Sequence, residues 1–359
     1  MAEYDLPRDL SELSGISSAG FAPAPLSGME LATQHALTAE EVERYDRDGY
    51  VATSRPVLTP AQLEALRHDL DALTDQRNPH PKVDLLNELH YNEAEGSGQR
   101  LFHCLGHWRI APSFHDVAFL DSICLPACQL LQGRPVRFWH DQAFVKPAGD
   151  GAVVQWHQDY SYWDRTGPRA HLTVHIALDD QTDENGALHY VPGSHRWTRD
   201  GGRPLPQAAA KAREKMARAR DLARDLARDL ARAGQADAEE TLAGASFDTD
   251  MDALYNDVLT DDERSQWALR PPESARLKAG YAAFHHALCV HGSWGNTSGN
   301  PRRAIVLNYF AHGTRAYMEG SLLKGVPAVH QGEVLGGQFH PVVFNTSRVN
   351  VSALPVATS

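Results

Sequence analysis

Long apolar runs, paired cysteines and an excess of positive charge are all missing from this chain of 359 residues. Each absence removes a class of function. With no run of about 18 apolar residues, no membrane-spanning helix is expected. The opening MAEYDLPRDLSELSG has no basic stretch followed by an apolar one, so no secretory signal is expected. The four cysteines, Cys104, Cys124, Cys128 and Cys289, include one C-x3-C spacing and no second pair to complete a zinc site. Scattered thiols without a leader point to a reducing compartment, the cytoplasm. Lys and Arg number 34 against 46 Asp and Glu, a net charge of −12. Such a chain repels phosphate backbones, so nucleic acid is not an expected partner. No H-E-x-x-H occurs, and zinc hydrolysis loses its usual ligand set.

What is present fits one domain with a sizeable core, at 42% hydrophobic residues. Residues 1–37 are rich in Ser, Gly, Ala and Pro and predict an extended or partly disordered arm. A single domain is expected over 38–350, with a C-terminal tail at 351–359. Thr38 and Glu41 form a capping box that opens a helix running to about Asp48. Thr59, Pro60 and Gln62 open another, with Leu58 and Leu63 as a hydrophobic staple. Leu63, Leu66, Leu70 and Leu73 share one face of it.

From about residue 135 the pattern becomes strand-like. Val136–Lys146 is rich in aromatic and β-branched residues, and residues 152–156 continue as a short apolar run. In 171–178, Leu172, Val174 and Ile176 take one face, packing outward, and His171, Thr173, His175 and Ala177 take the other. Further strands are predicted at 187–191 and near 276–284, 286–290 and 303–311. Many short strands between turn signals indicate a mainly β sandwich or barrel with flanking helices. Residues 205–270 interrupt the pattern with a helical insert. It contains Asp-Leu-Ala-Arg three times over 221–232, a solvated helix, a lid or an oligomer contact.

The chemistry concentrates in Trp156-His-Gln-Asp-Tyr-Ser-Tyr-Trp163. In extended backbone, residues i and i+2 point to one side, so His157 and Asp159 can offer a nitrogen and an oxygen to one ion. This is the one H-x-D in the chain. A distant third ligand would complete a two-histidine, one-carboxylate set with open positions, as non-haem Fe(II) oxygenases require. His291 follows an apolar stretch and precedes a Gly/Asn-rich turn, a good position for that ligand. Arg302 and Arg303 should point to opposite sides of the next strand, and a guanidinium binds a carboxylate in bidentate fashion. Gln142 and Phe144 share a strand face with His140 and Lys146. Tyr160, Tyr162 and Trp163 follow the ligands, and such a mixture of aromatic and amide groups suits a small or medium organic molecule.

These motifs resemble the phytanoyl-CoA dioxygenase family, which includes ectoine hydroxylases. The resemblance rests on His157-Gln-Asp159, Asn185-Gly-Ala-Leu188, Pro192-Gly-Ser-His195, and H-G-S-x-x-N-x-S at 291–298 with Arg302 eleven residues after His291. It covers most of 38–345. It implies a double-stranded β-helix, the jelly-roll of cupin-like proteins, with helices on one side. It implies Fe(II) on His157, Asp159 and His291, 2-oxoglutarate as co-substrate and O2. Arg302 would bind the co-substrate carboxylate, with Ser293 as a further contact. His175 stands where relatives contact the co-substrate with tryptophan, and Gln142 is a further inward-facing candidate. Trp163 matches an aromatic that lines the substrate site, with Phe144, Tyr160 and Tyr162 as additional candidates. Related halogenases have Ala or Gly at the position of Asp159, so the carboxylate favours hydroxylation. Desaturation, cyclisation or epimerisation with the same cofactors, and a binding module without catalysis, are the alternatives.

Overall fold

The computed structural model describes residues 9–13, 15, 20–22, 26–75, 77, 79–93, 100–149, 153–199, 202–206 and 251–358. Reciprocal capping boxes open four of its helices: Ser27 with Glu30, Thr38 with Glu41, Thr59 with Gln62 and Thr260 with Glu263. They begin α1 (Gly28–His35), α2 (Ala39–Asp48), α3 (Pro60–Thr74) and α7 (Asp261–Leu269). Between them lie α4 (Pro112–Val117), α5 (Asp121–Leu130) and α6 (Ala253–Asp257). α2 stops at Gly49, whose φ of 82° a side chain would resist.

The strands are short. In chain order they are β1 (Tyr50–Ala52), β2 (Glu88–Glu93), β3 (Arg100–Leu105), β4 (Val136–Lys146), β5 (Val154–His157), β6 (Thr166–Gly167), β7 (His171–Ala177) and β8 (Leu188–Tyr190). There follow β9 (Glu273–Ser274), β10 (Ala282–His286), β11 (His291–Ser293), β12 (Arg302–Ala311), β13 (Arg315–Ala316), β14 (Gly320–Ser321), β15 (Ala328–Val329) and β16 (Val342–Phe344). The large sheet has the order β1-β10-β7-β12-β4-β3-β2, with β16 also on β4, and the small sheet the order β5-β11-β8-β9. Their inner faces meet: Lys146 of β4 reaches Ser293 of β11, and Tyr50 of β1 stacks on Tyr190 of β8. This is the jelly-roll.

Alternation along β7 decides what each face does. Leu172, Val174 and Ile176 point away from the small sheet into one core with Ile305 and Leu307 of β12, Leu66 and Leu70 of α3, and Val42 and Tyr45 of α2. Each fully buried leucine there contributes about 2 kcal/mol. His171, Thr173 and His175 point inward, buried but polar. The register carries the inner face across the sheet: Arg302 lies opposite Lys146, Ala304 opposite Phe144 and Ala177, Val306 opposite Gln142 and His175, and Asn308 opposite His140 and Thr173. The barrel interior therefore carries polar groups among a few apolar ones, Phe144, Ala177, Ala304 and Val306.

Several expectations are corrected. Within the N-terminal arm, the Ser27–Glu30 box nucleates α1, and Leu10, Phe21 and Leu31 are buried. Apolar side chains with a covering surface available pack, whatever the average composition. The tail at 351–359 also docks: Gln129 Nε2 donates to Pro355 O at 2.9 Å, and Ala357 N donates to Gln129 O at 2.9 Å. The strand predicted at 276–284 is β10, starting at Ala282, and the one at 286–290 is a turn, so His291 opens β11 rather than ending a strand. The β2–β3 pair has no counterpart in the predicted strands. Of the insert, α6 and α7 belong to a satellite core with Trp156, Val191, Trp197 and Val290. The repeat helix at 221–232, with its lid and oligomer readings, lies outside the described residues.

Candidate active site

His157 closes β5, and Asp159 opens the 3-10 turn of 159–162 rather than continuing the strand. Gln158 between them stays extended, φ −109° and ψ 129°, so the two side chains still project to one side. Gln158 itself points the other way and is buried. Its Nε2 donates to Trp197 O and Leu288 O at 3.0 and 2.7 Å, and its Oε1 accepts from Leu205 N at 2.7 Å. That anchor locks the ligand-bearing turn, and no local pattern announces it. His291 lies directly opposite His157 in the β5–β11 ladder, which puts both imidazoles on the same face, ring centroids 4.2 Å apart.

The donor atoms converge. Asp159 Oδ1 is 3.5 Å from His157 Nε2 and 3.6 Å from His291 Nε2. Among the described residues, these three form the one cluster of His, Cys, Asp and Glu able to hold a metal ion. Each histidine engages its other nitrogen with a backbone carbonyl: His157 Nδ1 with Gln155 O at 2.7 Å, His291 Nδ1 with Cys289 O at 3.0 Å. Nδ1 therefore carries the proton, and Nε2 presents a lone pair. Burial alone would raise the Asp159 carboxyl, but His291, His157 and His285 hold it well below the usual carboxylate range. Burial, with His157 and His285 alongside, keeps His291 neutral. Two neutral imidazoles and one carboxylate oxygen are a donor set that fits Fe(II).

At the far end of the same interior lies Arg302, 2% exposed. Its Nη2 donates to Gly186 O, while its Nε is buried with no hydrogen-bond partner. No carboxylate among the described residues pairs with it, and burial pulls its pKa down to about 10. Gly186 belongs to the Asn185-Gly-Ala-Leu188 motif, and the reason is steric. A Cβ there, at φ 80°, would meet Trp294 O at 2.5 Å. Arg303 points outward instead, to Asp179 and Asp71 at 2.9 Å. Ser293 is buried, and its hydroxyl accepts from Lys146 Nζ at 2.8 Å. Lys146 is thus a second buried cation beside the first, placed by the sequence on the correct face but given no role there. His175 lies on the same inner face, bonded to Gln181 at 3.1 Å, and burial with Arg302 nearby keeps it neutral.

The remaining candidates divide. Gln142 bonds His103 at 3.0 Å, and Phe144 stacks on the same ring at 4.4 Å. Trp163 meets His140 edge-on at 5.6 Å. Tyr162 is 42% exposed, with its ring edge-on to His157 at 5.8 Å. Tyr160 and Trp163 share a satellite core with Trp139 and Phe310, and the Tyr160 hydroxyl donates to Thr166 O. His286, adjacent to His285, points to the outer face beside Tyr45.

Comparison with known proteins shows family and fold. L-proline trans-4-hydroxylase of Streptomyces griseoviridis is 29% identical over 163 residues, 42% of this chain and 53% of that one. Ectoine dioxygenase of Halomonas elongata is 30% identical over 164 residues, 45% and 46% of the two chains. The chain thus spans about half the length of the curated relatives it matches. Among solved structures, the carbocyclase SnoK from nogalamycin biosynthesis has a TM-score of 0.58 at 19% identity, covering 89% of this chain and 99% of that one. EctD from S. alaskensis has a TM-score of 0.55 at 16% identity, covering 89% and 87%. These likenesses concern the fold. No helix of the described residues is long and apolar enough to cross a membrane. The family model described as phytanoyl-CoA dioxygenase (PhyH) matches residues 45–304, and the chain belongs to that family.

Proposed function

We propose that this protein hydroxylates a small or medium organic metabolite, with Fe(II), 2-oxoglutarate and O2, releasing succinate and CO2. The observation that carries the reading is Arg302, a buried guanidinium without a carboxylate partner among the described residues, inside the same barrel as His157, Asp159 and His291. A charge enclosed in that way needs an anionic ligand to compensate it. A dicarboxylate that also chelates the metal meets both demands. Bound Fe(II) would supply the activation of O2 coupled to decarboxylation of 2-oxoglutarate.

The chain's own residues do the rest. His157, Asp159 and His291 would hold Fe(II) through two imidazole nitrogens and one carboxylate oxygen. Arg302 takes the distal carboxylate with two parallel N–H groups. Ser293, Lys146, His175 and Gln142 lie on the surrounding walls and orient the co-substrate. Trp163, Tyr162 and Phe144 guide the organic substrate and limit water at the metal. The names of the relatives, a proline hydroxylase and ectoine dioxygenases, support a free small metabolite. Ring closure or epimerisation, as in the names of the solved neighbours, uses the same cofactors and differs in product.

The test is an anaerobic titration with Fe(II) and 2-oxoglutarate, watched for the weak visible charge-transfer band of the chelate. It is followed by a screen of small metabolites for substrate-dependent succinate release. A one-to-one band lost in Asp159→Ala and His291→Ala, and succinate matched by a hydroxylated product, are the expected results. A folded protein that retains no iron and gives no band refutes the reading.

A further inference from the structure

We infer that His285 is a positioning residue for the metal: it holds one oxygen of Asp159 away from the ion and turns the other toward it. The inference rests on the reading of His157, Asp159 and His291 as the metal site.

Asp159 uses its two oxygens differently. Oδ1 faces the Nε2 atoms of His157 and His291. Oδ2 accepts from Thr173 Oγ1 at 2.5 Å and from His285 Nε2 at 3.0 Å. His285 has parity on its side. Along β10 it pairs with Thr173 of β7 and faces inward, while His286 faces outward.

The tautomer follows from what lies behind the ring. Tyr190 Oη is 3.1 Å from His285 Nδ1. A phenol donates to an unprotonated ring nitrogen, which leaves the proton on Nε2, aimed at Asp159 Oδ2. Tyr190 is itself clamped. It stacks on Tyr50 at 4.4 Å and 12°, and the Tyr50 hydroxyl donates to Glu273 Oε2 at 2.5 Å. His285, Tyr190 and Tyr50 are each 2% exposed or less. The line from Tyr50 through Tyr190 to His285 is therefore rigid, and its last N–H has one acceptor in reach.

Two donors on Oδ2 have a coordination consequence. A carboxylate can bind a metal through both oxygens, and doing so here would break two charge-assisted hydrogen bonds. Asp159 would therefore offer the ion one oxygen rather than two. The rival role for His285 is that of a fourth ligand, since its ring lies 4.3 Å from that of His291. The two roles separate by experiment.

Co(II) serves as the probe, with affinity measured by equilibrium dialysis and coordination by the visible ligand-field spectrum. The proteins are the full chain and its His285→Phe, His285→Gln and Tyr190→Phe variants, each checked by circular dichroism. His285→Phe should weaken Co(II) binding by about 10- to 100-fold. His285→Gln, whose amide can donate to Oδ2, should recover most of that loss. Tyr190→Phe should fall between, with the spectrum unmoved. Unchanged affinity in His285→Phe overturns the inference. So does a shifted spectrum with no recovery in His285→Gln, which would make His285 a ligand. Wild-type protein that binds Co(II) but yields no succinate with any metabolite fails the functional reading alone. Wild-type protein that binds no Co(II) overturns both.

Discussion

Replacing Arg302 with methionine should make the resting protein no less stable while crippling its affinity for 2-oxoglutarate. The two effects come from one fact, the burial of a guanidinium without an anion. Burial pulls Arg302 below its ordinary value to about 10, which is worth roughly 3 kcal/mol against the charged form. The sign is simple. At neutral pH the group is charged in the folded and the unfolded chain alike, so the penalty is present in full and lessens only above about pH 10. Methionine fills similar space with no charge to desolvate, and replacing a buried ion in this way is often stabilising by about 1–4 kcal/mol. Against that stands the lost hydrogen bond to Gly186 O, about 1.5–3 kcal/mol. With the roughly 3 kcal/mol of relieved burial as the gain, the net lies between no change and a gain of about 1.5 kcal/mol. A thermal melt of the metal-free protein should show an unchanged or slightly raised Tm. Loss of a buried, hydrogen-bonded charge partner costs about 2–5 kcal/mol of binding, so Kd for 2-oxoglutarate should rise between about 30-fold and a few thousand-fold. Titration of the Fe(II)-loaded protein reads this directly. Arg302→Lys should bind with intermediate affinity, because the charge remains and the bidentate fork is lost. A lowered Tm together with unchanged 2-oxoglutarate affinity would refute the reasoning.

Two further expectations concern the scaffold. Asp141 is fully buried and accepts from Gly106 N at 2.8 Å and Trp108 N at 2.7 Å, so Asp141→Ala orphans two donors. It should lose about 2–4 kcal/mol in urea unfolding, and a loss under 1 kcal/mol would contradict the account. Gly49→Ala forces a Cβ to within 2.5 Å of His195 Nδ1 at φ 82°. Its melt should show a loss of about 2 kcal/mol or more, and an unchanged Tm would mean that the turn relaxes freely.

Some of this protein could be read from local sequence because the physics is local. The capping boxes at Thr38 and Thr59 depend on four consecutive residues, and both helices start where those residues place them. The two faces of β7 follow from parity alone. Ser27–Glu30 carries the same signal as Thr38–Glu41, but the Ser-, Gly- and Pro-rich surroundings mask it, and α1 was hidden there. The docking of the last residues could not be read, because Gln129 and Pro355 are far apart in sequence and neither has a distinctive neighbourhood.

The sequence by itself determined the types of the candidate ligands and their parity. His157 and Asp159 are separated by one extended residue, and Arg302 and Arg303 alternate along a strand, so a shared face for the first pair and opposite faces for the second were dictated before any contact formed. Only the tertiary structure decided what those faces meet. The β5–β11 register brings His291 opposite His157, and the meeting of the two sheets delivers Thr173 and His285 to the spare oxygen of Asp159. His285 and His286 are chemically identical in the sequence. Strand parity makes one of them an inner residue, but which face is inner depends on where the helices pack, and that is settled by long-range burial that no local window contains.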